Sequence, residues 1–74
     1  MKEIDCRGLK CPIPVLRLEK ALGAAEPGEA IIVLATDPVA RIDIPLHCRQ
    51  NGHACTVSEA DGALRFEIVA AAGG

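Results

Sequence analysis

Two prolines one residue apart, in the segment Cys11-Pro12-Ile13-Pro14, restrict the local fold more than any other feature of this sequence. Proline lacks a backbone N–H and fixes φ, so a helix accepts it in the first turn and is broken by it further along. Pro12 at the first helical position and Pro14 at the third both meet this condition. The segment therefore predicts a helix over residues 12–25, with Cys11 at its N-cap.

Periodic patterns and turn signals divide the rest of the chain into four strands and a second helix. An unbroken aliphatic run within residues 29–35 is typical of a central strand that is covered on both faces. Asp37 and Asp43 are interpreted as helix caps, each followed within two residues by a proline in the first helical turn. The predicted elements are strands over residues 2–6, 29–35, 53–59 and 63–70, and a second helix over residues 44–51.

The resulting order, β-α-β-α-β-β, predicts an α+β fold. Such a chain forms a two-layer α/β sandwich in which two helices pack on one face of a mixed four-stranded sheet. The other sheet face would lack a helical cover, so it either meets a partner or a second copy, or remains a tolerated apolar face. The 74 residues contain no linker or repeat, so a single domain over residues 1–74 is predicted, with a frayed tail over residues 71–74.

The composition argues against several classes of protein. The chain has one Phe and no Tyr or Trp, and its net charge is -2, so direct binding of nucleic acid is not expected. No apolar run approaches the roughly 20 residues of a membrane span, and the N-terminus lacks a signal-peptide pattern. We therefore expect a cytoplasmic protein with reduced cysteines.

The N-cap position predicted for Cys11 indicates a reactive thiol. A sulfur at this position faces the positive end of the helix dipole and the free amides of the first turn, and Arg7 and Lys10 precede it closely. All of these favour the thiolate, so the pKa of Cys11 is predicted to lie below its usual value of about 8.5. Ser, Asp or Asn would cap the helix better, which favours sulfur chemistry over packing as the reason for this cysteine.

The other three cysteines carry weaker signals. Cys6 lies on the inward side of the first strand, Cys48 on the second helix and Cys55 on the third strand, so packing is expected for each. Cys6 and Cys11 have C-x4-C spacing rather than the C-x2-C of dithiol oxidoreductases, which leaves Cys6 as a candidate second thiol. No metal is predicted, because the zinc ligands that could be proposed lack any C-x2-C or H-x3-H unit. Those ligands would be His47, Cys48, His53 and Cys55.

The chain resembles the TusA/SirA-like sulfur-carrier family, small proteins built around a Cys-Pro-x-Pro motif. Five segments match in order along nearly the whole chain: DCRGLKCPIPV at residues 5–15, PGE at 27–29, TDP at 36–38, DIPLHC at 43–48 and GH at 52–53. The chain departs from the family pattern at His47, where an aromatic residue is common, and at Cys6, an extra thiol beside the motif.

The resemblance implies that Cys11 carries sulfur as a transient persulfide, with no resident cofactor. It implies a sulfurtransferase-type carrier rather than a stand-alone multiple-turnover enzyme, loaded by a cysteine desulfurase, a rhodanese or another donor. The acceptor protein would serve tRNA thiolation, molybdenum cofactor enzymes or sulfur metabolism, and a thiosulfate transporter is a further partner in the family. The residues expected to support the site are Arg7, Gly8, Lys10, Pro12 and Pro14, with the two basic residues stabilising the persulfide or docking an acidic partner.

Two other classes of function are left open. A non-catalytic regulatory or protein-interaction module would use the uncovered sheet face. A terminal diglycine, Gly73-Gly74, is the feature by which ubiquitin-like carriers bear a thiocarboxylate, although the strand order and the Cys-Pro-x-Pro motif fit that class poorly.

Overall fold

The elements of the fold follow the predicted order, as a computed structural model that describes residues 2–71 shows. The bounds are β1 Lys2–Cys6, α1 Ile13–Ala24, β2 Ala30–Ala35, α2 Ala40–Gln50, β3 Ala54–Ala60 and β4 Ala63–Val69. The terminal diglycine and the rest of residues 72–74 lie outside the described residues. The two-layer α+β fold with a mixed four-stranded sheet is confirmed.

The sheet has the strand order β1-β2-β4-β3, so β2 is an internal strand, as its aliphatic run predicts. β1 pairs with β2 in parallel, with Cys6 opposite Ala35. β4 pairs with both β2 and β3 in antiparallel fashion. Because β1 and β2 run in the same direction, the loops that follow them leave the sheet at the same edge.

The hydrophobic core lies between the sheet and the two helices. It combines side chains from β1, α1, β2, α2 and β4, and the one aromatic residue, Phe66, is fully buried in it. The fully buried side chains also include Cys6, Leu18, Ile31, Val33, Ile44, Cys48 and Ile68. None of the helices within residues 2–71 is long and apolar enough to cross a membrane.

Both helices within residues 2–71 lie on one face of the sheet, and the described part of the chain places no helix over the opposite face. Ile32 is only 1% exposed there, although its partners in register on the neighbouring strands are the charged residues Glu3 and Glu67. Val69, at the end of β4, is 39% exposed on the same face. The apolar positions of β2 are therefore enclosed by charged neighbours and do not form a broad apolar surface.

α2 begins at Ala40, four residues before the predicted start, and contains Pro45 in its interior. Asp37 explains the earlier start, because its Oδ1 accepts the N–H of Val39 at 3.0 Å and its carbonyl accepts the N–H of Ala40 at 3.0 Å. Proline removes one hydrogen bond from a helix interior. The helix is retained because Ala40, Ile44 and Cys48, spaced four residues apart, are all buried in the core.

Candidate functional site

Cys11 lies in the loop that joins β1 to α1, and its side chain is exposed. The helix begins one residue later than predicted: Pro12 is the N-cap and Pro14 is the second helical residue. Cys11 therefore precedes the N-cap, and its peptide bond to Pro12 is cis. Its exposure excludes a packing role and makes the sulfur accessible to a partner molecule.

The Cys11 loop is fastened to the loop between β2 and α2. The N–H of Gly8 donates to Oγ1 of Thr36 at 2.9 Å, and the N–H of Cys11 donates to Oδ2 of Asp37 at 2.6 Å. Gly8 has a φ of 81°, a conformation that side chains with a Cβ rarely adopt. The parallel pairing of β1 and β2 brings the two loops together, so the position of Cys11 depends on residues about 26 positions later in the chain.

The thiol of Cys11 has a carboxylate as its direct partner. It donates a hydrogen bond to Oδ2 of Asp43, at a distance of 2.9 Å. This hydrogen bond raises the pKa of Cys11 above its ordinary value, and partial desolvation and the charges of Asp43 and Asp37 act in the same direction. The predicted lowering of the Cys11 pKa is therefore wrong.

Two of the groups that were expected to favour the thiolate, the N–H of Ile13 and the guanidinium of Arg7, are engaged elsewhere. The N–H of Ile13, one of the first-turn amides, donates to the carbonyl of Lys10 at 2.9 Å. The guanidinium of Arg7 makes two hydrogen bonds to Asp5, at 2.9 and 2.8 Å, and these hold the pKa of Asp5 at about 2. The carboxylates nearest to Cys11 are instead those of Asp37 and Asp43, which lie 26 and 32 positions further along the chain.

Asp37 and Asp43 were both interpreted as helix caps from the sequence, but they have different roles in the structure. Asp37 caps the start of α2, as predicted, because its Oδ1 accepts the N–H of Val39. The N–H groups of Cys11 and Val39 and the charge of Lys10 lower the pKa of Asp37. Asp43 is the fourth residue of α2 and contacts the thiol, so its assignment as a cap is wrong. The parallel pairing of β1 and β2 could have indicated this contact, because it places the loops that follow these two strands at the same edge of the sheet.

The remaining cysteines lie in or against the core. Cys6 and Cys48 have no exposed surface, and burial raises the pKa of Cys6 and raises that of Cys48 to about 12. Cys55 is half-buried, and burial raises its pKa as well. The packing roles predicted for these cysteines are confirmed, and a donor protein has no direct access to the sulfur of Cys6.

The side chain of His53 makes a structural contact. His53 is half-buried, and its Nδ1 accepts the N–H of Ala71 at 2.8 Å. This bond fastens the chain after β4 to the start of β3. Among residues 2–71, no three His, Cys, Asp or Glu side chains are arranged to hold a metal ion.

Exposed aliphatic side chains lie on the two helices near the site. Leu16 is 55% exposed, and Ile42 and Leu46 are 67% and 48% exposed. A shallow groove between the helices begins beside Asp43 and Pro12 and extends along α2. Contiguous patches of exposed apolar groups mark candidate protein docking surfaces.

We expect Asp37→Ala to destabilise the protein by about 1 to 2 kcal/mol, because two backbone N–H groups would lose a charged acceptor. Urea denaturation measures the change in the free energy of unfolding, and hydrogen exchange at the Cys11 amide should become faster. Asp37→Asn is the matched control. It keeps one acceptor oxygen and should lose about half as much stability; an Asp37→Ala variant as stable as the wild type would contradict the assignment.

Fold and site together define a class: small two-layer α/β proteins in which one exposed cysteine stands at the start of the first helix. The model of the sulfurtransferase TusA family matches residues 2–69 of the chain. The protein therefore belongs to the TusA family.

Curated relatives and a solved structure agree with this assignment. The chain is 46% identical over 70 residues to a putative sulfur carrier protein of Archaeoglobus fulgidus, covering 92% of this chain and 91% of that protein. It is 38% identical over 61 residues to the sulfur carrier protein TusA of Allochromatium vinosum, covering 82% and 80%. The crystal structure of a SirA-like protein from Desulfitobacterium hafniense superposes with a TM-score of 0.88 at 34% identity, covering 96% of this chain and 99% of that one.

Proposed function

We propose that this protein is a sulfur carrier that accepts sulfane sulfur as a persulfide on Cys11 and passes it to an acceptor protein. The observation that carries the proposal is the exposed thiol of Cys11 within the Cys-Pro-Ile-Pro segment of a TusA-family chain. A carrier sulfur must be accessible twice, once to the donor and once to the acceptor. An exposed loop held by hydrogen bonds at Gly8 and Cys11 meets this requirement.

The transfer is thiol exchange at sulfur. The thiolate of Cys11 attacks the outer sulfur of a donor persulfide, and the donor leaves as its own thiolate. In the second half of the cycle, a thiolate of the acceptor attacks the outer sulfur that Cys11 now carries, and Cys11 becomes the leaving group. The chain returns to its starting state, so it acts as a carrier between two proteins rather than as a stand-alone enzyme, and no resident cofactor takes part.

The proposed partners are protein donors and protein acceptors of sulfur. The exposed side chains of Leu16, Ile42 and Leu46 supply apolar contact area next to the site. Arg7 is committed to Asp5, so Lys10 is the basic residue of the loop that remains for a partner or a persulfide. A cysteine desulfurase, a rhodanese or a thiosulfate-handling protein would provide the sulfur, and tRNA thiolation, molybdenum cofactor or sulfur-oxidation proteins would receive it.

Intact-mass measurement of the wild-type protein tests this proposal. The protein is incubated with a cysteine desulfurase and cysteine, and the adduct is mapped by peptide mass under non-reducing conditions. We expect an added sulfur atom on the peptide that contains Cys11, removed by dithiothreitol. An adduct at Gly74 would instead indicate a thiocarboxylate carrier, and no adduct with desulfurase, rhodanese or thiosulfate donors would indicate an interaction module.

A further inference from the structure

Asp43 is the side chain in hydrogen-bond contact with the sulfur that the proposed function uses. The contact joins Cys11 Sγ to Asp43 Oδ2 at 2.9 Å, and Asp43 itself is half-buried. The buried residues Ala40 and Ile44 hold this part of α2 against the core, so the carboxylate is carried on a rigid element. The salt bridges within residues 2–71 are Arg7 with Asp5 and Arg41 with Glu59, and neither involves Asp43.

We propose that Asp43 is a latch on Cys11, which keeps the unloaded thiol protonated until a cationic group of the partner pairs with the Asp43 carboxylate. This inference rests on the proposed function and adds to it the chemistry of the partner: a basic residue beside the reactive sulfur. It differs from the expectation that basic residues of this loop select an acidic partner.

The resting state follows from the chemistry of the two groups. An ionised carboxylate can only accept a hydrogen bond, so the thiol must supply the proton of the Sγ to Oδ2 contact. This hydrogen bond stabilises the neutral thiol and raises the pKa of Cys11. Because the thiolate is the nucleophile, the unloaded carrier reacts slowly with oxidants and alkylating agents that lack a positive charge.

Several charged groups from other elements surround the contact. Asp37, from the β2–α2 loop, accepts the N–H of Cys11 and adds a second negative charge. The charge of Lys10, in the same loop as Cys11, lowers the pKa of Asp37. His47, one turn beyond Asp43 on α2, lines the same groove.

Pairing of Asp43 with a partner's ammonium or guanidinium group would remove the acceptor of the thiol proton. It would thereby lower the free energy needed to deprotonate Cys11. The proton leaves to solvent. The sulfur step is then R–S–S–H plus Cys11–S⁻ giving R–S⁻ plus Cys11–S–S–H. One S–S bond forms as another breaks, the donor's inner sulfur keeps the electron pair, and no external oxidant or reductant is consumed.

The test compares the wild type with Asp43→Asn in two reactions of Cys11 that require no sulfur donor. The first is the pH profile of alkylation by neutral iodoacetamide; the second is mixed-disulfide formation with the cationic disulfide cystamine and with the anionic disulfide dithiodipropionate. Asp61→Asn is the matched control, because it removes the same charge in the β3–β4 turn, where the φ of 52° suits asparagine. Asp43→Ala is a second variant in case Asp43→Asn folds poorly.

We expect Asp43→Asn to move the alkylation profile to lower pH and to raise the rate several-fold at pH 7.5, whereas Asp61→Asn should match the wild type. The wild type should react about tenfold faster with cystamine than with dithiodipropionate, and Asp43→Asn should lose most of this preference. A role of Asp43 in packing alone would change neither result. An unchanged alkylation profile, or a wild type with no charge preference, would overturn the latch.

Different experimental results would contradict the latch and the proposed function. If the wild type acquires sulfur on Cys11 but shows no charge preference, the carrier function stands and the latch is wrong. If the charge preference depends on Asp43 but no donor loads sulfur, the latch describes the thiol of a protein with another function.

Discussion

Replacing Cys11 by serine is expected to abolish sulfur loading completely. Serine keeps the size and the hydrogen-bonding capacity of the side chain, so the loop and its bond to Asp37 should persist, but an alkoxide is not accessible near neutral pH as a sulfur nucleophile. Intact mass after incubation with a desulfurase and cysteine measures the result. Retained loading of Cys11→Ser would show that another atom of this chain accepts the sulfur.

The other cysteines provide internal controls for this experiment. Cys55→Ser affects a half-buried thiol and should leave the extent of loading unchanged. Cys6→Ala removes the candidate second thiol, which is fully buried, and loading should again be unchanged. A marked loss of loading in Cys6→Ala, with an unchanged unfolding midpoint, would mean that the core opens during transfer and that Cys6 takes part.

Replacing Phe66 by alanine is expected to destabilise the protein by about 3 to 5 kcal/mol, because the change removes a fully buried aromatic ring and leaves a cavity. A domain of this length has a free energy of unfolding of roughly 4 to 11 kcal/mol, so the variant should lose a large fraction of its stability. Urea denaturation followed by circular dichroism measures the loss.

Val69→Ala is the matched control on the same strand. Val69 lies on the open face of the sheet and is 39% exposed, so its truncation should cost about 0.5 kcal/mol. Similar losses for Phe66→Ala and Val69→Ala would contradict a core confined to the helix side of the sheet. They would also indicate that the open face is covered in solution.

The fold could be predicted from the sequence because its signals are local. The aliphatic run of β2, the alternation in β4 and the Asp61-Gly62 turn each define an element through neighbouring residues. The start of α2 was harder to predict from the sequence. Pro45 indicated a helix start next to it, whereas the side chain of Asp37 begins the helix earlier and three core residues preserve it through the proline.

Part of the site was also predictable. The Cys-Pro-Ile-Pro segment identified Cys11 and the start of α1 to within one residue, because proline tolerates few helical positions. Gly8 was associated with the site, and its positive φ explains why glycine is needed there. The electrostatics were predicted with the wrong sign, since proximity in sequence placed Arg7 and Lys10 beside the sulfur and gave no information about the distant aspartates.

By itself, the sequence determined the order of the elements, the exposed position of Cys11 before a helix, and the packing of the other three cysteines, because each depends on local periodicity or on proline geometry. The tertiary structure alone decided the chemical state of the thiol. The parallel pairing of β1 with β2 places Asp43 2.9 Å from Cys11 Sγ, while Arg7 pairs with its near neighbour Asp5. The pKa of a thiol depends on the charges nearest to it in space, and these belong to Asp37 and Asp43, which lie 26 and 32 positions further along the chain.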